Sequence, residues 1–150
     1  MSRKRTTRIA ALALAGTTIA LGLMAAAPAN AAEGDGNCST TTGDLCLYFN
    51  SGYGGSRFND PGTDNYVNSG FRFVSYGNGN GAGQYVWDNA ASAQNYDVWD
   101  NGFIFYNSNH QGPSDLIPGG GSTGVQGLSQ LQNTYNQNAS QAWDCGGYIC

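Results

Sequence analysis

The stretch LYFNSGYGGSRF, beginning at Leu47, returns as IFYNSNHQGPSDL beginning at Ile104. Tyr48 answers to Phe105, Asn50 to Asn107, Ser51 to Ser108 and Gly55 to Gly112, all at one constant offset. A second shared block follows each copy, DNAASAQNYD at 88–97 and NQNASQAWD at 136–144. Each half thus reads as an aromatic hairpin, an Asn/Ala/Ser turn and an aromatic-Asp stretch. A unit this short cannot remove enough apolar surface from water by itself. Two related units in one chain therefore predict a single domain in which each half covers the other's apolar face about a pseudo-twofold axis.

The residues between the repeats fix the class. Gly, Asn, Ser, Tyr and Phe are abundant, whereas the helix formers Leu, Lys and Glu are scarce beyond the first residues, so the chain reads as all-β. Aromatic and β-branched runs near 45–50, 71–76, 84–87, 95–99, 102–107, 114–117 and 141–143 are the expected strands, separated by Gly/Asn/Asp/Ser turns. Two connections, YGNGNGAGQ at 76–84 and PGGGSTGVQG at 118–127, are rich in glycine. The first is not followed by a helical pattern, and no lysine occurs beyond the first residues, so it does not read as a phosphate cradle.

The first residues belong to another category. Arg3, Lys4, Arg5 and Arg8 precede an Ala/Leu/Ile run over 9–27, and Ala29-Asn30-Ala31 is a small-residue cleavage pattern. This predicts a signal peptide over 1–31, a single domain over 32–150 and a secreted protein. No later run is apolar enough to span a bilayer. Beyond the signal only Arg57 and Arg72 stand against ten acidic residues, with no lysine. Such a surface repels nucleic acid and anionic lipid, which are bound through Lys and Arg. Divalent cations and basic partners suit it better. Cys38, Cys46, Cys145 and Cys150 form an even set in an exported chain, so disulfides are expected. The sequence-local pairing, Cys38 with Cys46 and Cys145 with Cys150, closes without demanding any tertiary arrangement.

Tyr48-x4-Tyr53-x-Gly55 resembles the aromatic corner of βγ-crystallin Greek keys, in which two rings and a glycine shape a folded hairpin. The second copy, Phe105-x4-His110-x-Gly112, departs by placing His where the second ring belongs. The resemblance implies a βγ-crystallin-like sandwich of two Greek-key motifs, about 45–99 and 102–144. Together with the signal peptide and the CLYFN opening, the chain is similar to a secreted actinobacterial peptidase-inhibitor family typified by streptomycete metalloproteinase inhibitors. That similarity implies a monomeric inhibitor whose partner is an extracellular metalloprotease and which requires no cofactor. The alternative is a non-enzymatic extracellular module that binds calcium or a glycan, or a toxin-like protein of the same fold.

Few residues here are able to catalyse a reaction. A Ser-His-Asp site needs a histidine, and the only one, His110, is accounted for as a corner residue. Asp97 and Asp100 are a conceivable carboxylate pair, but YDVWDNG reads as the turn between halves. The chain is therefore expected not to be an enzyme. Calcium favours six to eight oxygens, and in calcium-binding crystallins a turn patterned Asn/Asp-Asn/Asp-x-x-Ser/Thr-Ser supplies them. Asp88-Asn89-Ala90-Ala91-Ser92-Ala93 matches all but the last position, so Asp88, the Ala90 carbonyl and Ser92 are the candidate ligands. The equivalent turn from Asn136 matches less well, and such side chains also bond their own turn backbone. Inhibition needs no reactive group, only a rigid loop that loses little entropy on binding. The ring CGGYIC offers Gly147, Tyr148 and Ile149 as that loop, unless Cys145–Cys150 serves only to staple the chain end. The glycines of 118–127 make it the costlier loop to order. Trp87, Trp99 and Trp143 are expected in the core rather than on a sugar-stacking surface.

Overall fold

A computed structural model describes residues 34–150. The expected signal peptide and its cleavage point lie outside them. The first repeat folds as a hairpin of β1 (Leu45–Asn50) and β2 (Gly54–Asp60). It is followed by β3 (Asp64–Asn65), a long excursion over 66–91, and β4 (Ser92–Asn95). The second repeat gives β5 (Asn101–Asn107), β6 (Gln111–Ile117), a 3₁₀ turn at Gly121–Thr123, β7 (Gln126–Leu128) and β8 (Ser140–Asp144).

These strands form two four-stranded antiparallel sheets, ordered β2-β1-β4-β7 and β3-β8-β5-β6. The two orders are the same path with the halves exchanged: each half contributes three strands to its own sheet and one short edge strand to the other. The register repeats as well. Leu45 faces Asp60 and Leu47 faces Phe58 in the first hairpin, while Gly102 faces Ile117 and Ile104 faces Asp115 in the second. Both hairpins carry an irregularity at the same point, between Tyr48 and Asn50 and between Phe105 and Asn107.

Alternation along the strands builds the core. Leu45, Leu47 and Phe58 from one sheet meet Ile104, Ile117 and Trp143 from the other, with Tyr66, Phe73, Val86 and Leu131 supplied by connections. Cys46 points away from this core yet is fully buried, because the arm over 34–44 covers it. Cys38–Cys46 ties the arm there, and Gly34 and Gly36 donate to the Asn59 backbone and side-chain oxygens at 2.9 and 2.8 Å. The second disulfide joins Cys145 to Cys150, so both sequence-local pairings are seen. Among the described residues no helix is long and apolar enough to cross a membrane.

Several strand expectations need correction. The run expected as a strand over 95–99 ends as one at Asn95, because the Asp97 carboxylate accepts the Trp99 and Asp100 amides at 2.7 and 3.0 Å and turns the chain. The runs at 71–76 and 84–87 make only isolated bridges, Arg57 with Val74 and Arg72 with Tyr85. Conversely, GGSRFND forms β2 despite its turn-like composition, since its partner β1 supplies the ladder. The glycine-rich 118–127 ends in β7, where a side chain at Gly127 would come within 2.7 Å of the Ala93 carbonyl.

Candidate functional site

The two corners superimpose bond for bond. Tyr53 and His110 both sit at φ 59°, beside Gly55 at 75° and Gly112 at 82°. Side chains rarely take that conformation, so each corner is held by neighbours. The Tyr53 amide donates to Ser92 Oγ at 3.0 Å, and Ser92 Oγ donates to the Asn50 carbonyl at 2.6 Å. The His110 amide donates to Ser140 Oγ at 3.1 Å, and Ser140 Oγ donates to the Asn107 carbonyl at 2.7 Å. The rings pack at 5.8 Å in Tyr48–Tyr53 and 5.7 Å in Phe105–His110. Thus the serine of each Asn/Ala/Ser block locks the corner of its own half.

This use of Ser92 bears on calcium. Its hydroxyl is fully buried with both bonds made, and the Ala90 carbonyl accepts the Asn136 amide at 2.8 Å. Reciprocally, the Asp88 amide donates to the Asn138 carbonyl at 3.0 Å, so the two turns clasp each other across the pseudo-axis. The Asn138 side chain, buried, accepts from the Asn89 and Ala90 amides and donates to the Val86 carbonyl. The Ala90 carbonyl and the Ser92 hydroxyl thus already serve the bonds that fold the two turns. No group of three or more His, Cys, Asp or Glu among the described residues is placed to hold a metal. Asp88 itself is exposed, at φ 58°, and partial desolvation moves its carboxyl above the ordinary range.

The C-terminal ring is a small hairpin continuing β8. Asp144 bridges to Ile149, the Cys145 amide donates to the Tyr148 carbonyl at 2.8 Å, and the Cys150 amide donates to the Trp143 carbonyl at 3.0 Å. Gly146 and Gly147 hold φ 72° and 95°, the positive values that a two-residue hairpin turn demands. The Gly147 amide is fixed by Asp144 Oδ1 at 2.6 Å, and the Thr63 hydroxyl bonds the Cys150 carbonyl from the side. The tip leaves Tyr148 78% and Ile149 50% exposed.

The tryptophans divide differently from expectation. Trp143 is buried, but Trp87 is 38% and Trp99 84% exposed. Register explains it: Trp143 opposite Gly102 corresponds to Asn95 opposite Leu45, so the buried tryptophan has an asparagine as its counterpart. Val86 takes the inward position beside Trp87, and Trp99 rides on the Asp97 turn. Trp87 and Asp88 instead open onto a cleft of about 410 Å³ with Tyr106, Asn107, Ser108 and Gln137. Tyr106 and Gln137 were not singled out from the sequence, where only the register of the repeats would have brought them near Trp87. No protein-family model, curated protein or solved structure matches this chain.

Proposed function

We propose that the protein is a secreted peptidase inhibitor directed at metalloproteases, and that the Cys145–Cys150 hairpin is the element it offers to the enzyme. The observation that carries this reading is the pair Tyr148 and Ile149, bulky and exposed on a disulfide-closed tip whose backbone is already bonded in place. Large apolar side chains left mostly in water add little burial to the fold. Held on a preordered loop, they gain binding energy with little entropy lost. Thermolysin-like enzymes have an apolar pocket beside the cut bond, which either side chain fills. The repeated corners and the exchanged edge strands support the finer fold reading, two Greek-key motifs of βγ-crystallin type, which gives the hairpin a rigid base.

The test is a titration of residues 32–150 against a thermolysin-like metalloprotease, with a subtilisin-like serine protease alongside. Inhibition of the metalloprotease saturating near one to one is expected. Tyr148→Ala or Ile149→Ala should weaken it by about tenfold or more, as loss of an interface anchor does. Flat activity at micromolar protein ends the inhibitor reading. Inhibition that survives both substitutions moves the contact elsewhere on the molecule.

A further inference from the structure

The pseudo-symmetry supplies an internal comparison that exposes a second surface. In the first half, the end of β1 is partly covered: a side chain at Gly81 would strike the Phe49 ring at 2.1 Å, and Asn80 donates to Asn50 Oδ1 at 3.1 Å. The covering loop, 76–84, belongs to the long excursion between β3 and β4. The matching connection between β7 and β8, 129–139, is far shorter, and the counterparts of Phe49 and Asn50 stay open. These are Tyr106, 39% exposed, and Asn107, and together with Ser108 they form one wall of the cleft that faces Trp87 and Asp88. Trp87 also lines a neighbouring hollow of about 340 Å³ with Tyr66, Asn68, Gly70 and Tyr85.

The chemistry of the walls narrows the occupant. Three partly exposed aromatic rings, Tyr85, Trp87 and Tyr106, stand among side chains of Asn68, Asp88, Asn107, Ser108 and Gln137 that make no hydrogen bond to other described residues. No basic side chain lines either hollow. The nearest, Arg72, lies 3.8 Å over the Tyr85 ring and donates to the Gly83 carbonyl. Anions are thus poorly served, whereas a neutral ligand with both apolar faces and many hydroxyls meets a partner for each. Pyranoses with equatorial substituents have that character: their axial C–H bonds make flat faces that stack on aromatic rings, and their hydroxyls reach amides and carboxylates from the rim. Each hollow falls in the size range of small-ligand sites, about 300–1,000 Å³. Two of them sharing one indole suit consecutive sugar units. We infer that this double cleft binds a neutral oligosaccharide of β-linked, equatorially substituted pyranoses, with Trp87 as the central stacking platform. The site lies at the Ser140 end of β8, opposite the C-terminal hairpin, and is independent of the inhibitor reading.

Calorimetric titration of the intact chain with chitotetraose and cellotetraose, and with α-linked maltotetraose as the comparison, tests this. Saturable binding of a β-linked tetrasaccharide with Kd below about 1 mM is expected. Trp87→Ala and Tyr106→Ala should each weaken it by about tenfold, with folding checked by thermal melting. Trp99→Ala, outside both hollows, should leave it unchanged. Should Trp87→Ala fail to fold, Tyr106→Ala decides. Absence of saturable binding for both β-linked sugars at 5 mM, equal binding of maltotetraose, or affinity indifferent to both cleft substitutions would each overturn the proposal.

Discussion

His110 holds a left-handed backbone at φ 59° while its Nε2 is buried without a hydrogen-bond partner. Its counterpart Tyr53 occupies the same conformation with a ring that packs edge-on against Tyr48. An unsatisfied buried nitrogen costs roughly 1–3 kcal/mol, part of which the Phe105–His110 ring contact offsets. His110→Tyr should therefore stabilise the fold, by about 1 kcal/mol, provided the phenol reaches water as a Tyr hydroxyl normally seeks to. Urea denaturation at neutral pH measures this, and a loss of stability would mean that the site lacks room for a six-membered ring. The corner itself was legible in sequence, since Tyr48, Tyr53 and Gly55 recur as Phe105, His110 and Gly112. The fate of the tryptophans was not. Burial of Trp143 and exposure of Trp87 depend on which residue faces which across the sheet, and composition carries no such register.

Strands β6 and β8 are joined through β7 and a short connection that has little regular structure of its own, yet Leu131 within it is buried in the core. Besides the backbone bonds of Leu131 to Ala91 and Asn136 to Ala90, one carboxylate holds this connection. Asp115 on β6 accepts the amides of Gln132, Asn133 and Thr134, the last at 2.9 Å, and the Thr134 hydroxyl at 2.7 Å. The side chain is buried, and the matching position in the first half is Phe58, a core aromatic. The repeat has thus replaced apolar packing with a polar clamp at one of its two copies. Asp115→Asn keeps the shape but turns an amide N–H₂ toward a set of donors, leaving buried groups unpaired. Bonds to a charged acceptor contribute about 1.5–3 kcal/mol each, so a loss of about 3 kcal/mol or more is expected. Chemical denaturation reads it, and hydrogen exchange should show the loss of protection concentrated at the 132–134 amides. A change below about 1 kcal/mol would mean that Leu131 burial and the backbone bonds to Ala90 and Ala91 anchor the segment without the carboxylate. The sequence placed Asp115 in a strand but gave it no partner, because its partners are backbone amides brought in by a later turn.

At the scale of the whole molecule, the repeat foretold two halves that need each other, and the strand orders say how. β3 leaves the first half to pair with β8, Asp64 opposite Gln141 and Asn65 opposite Ser140. β7 leaves the second half to pair with β4, Ala93 opposite Leu128 and Asn95 opposite Gln126. These exchanged strands were illegible in the sequence, being too short for any alternation to register and rich in turn residues. Their placement nonetheless makes the halves interdependent in hydrogen bonding as well as in the shared core, since each sheet loses an edge when its partner half is removed. The turns clasped by Asp88 with Asn138 and Asn136 with Ala90 add backbone bonds across the same boundary. Residues 34–100 and 101–150, prepared separately with their disulfides oxidised, should therefore each lack a cooperative thermal transition, whereas the intact chain should melt in one step. The disulfides do not alter this, because Cys38–Cys46 and Cys145–Cys150 each close a loop within one half. Mixing the two fragments should restore β-structure measurable by circular dichroism, with a midpoint that rises with concentration as for any bimolecular assembly. A cooperative melt of either fragment alone would show that one sheet holds its core without the borrowed strand, and the exchange would then position the cleft and the hairpin without being required for folding.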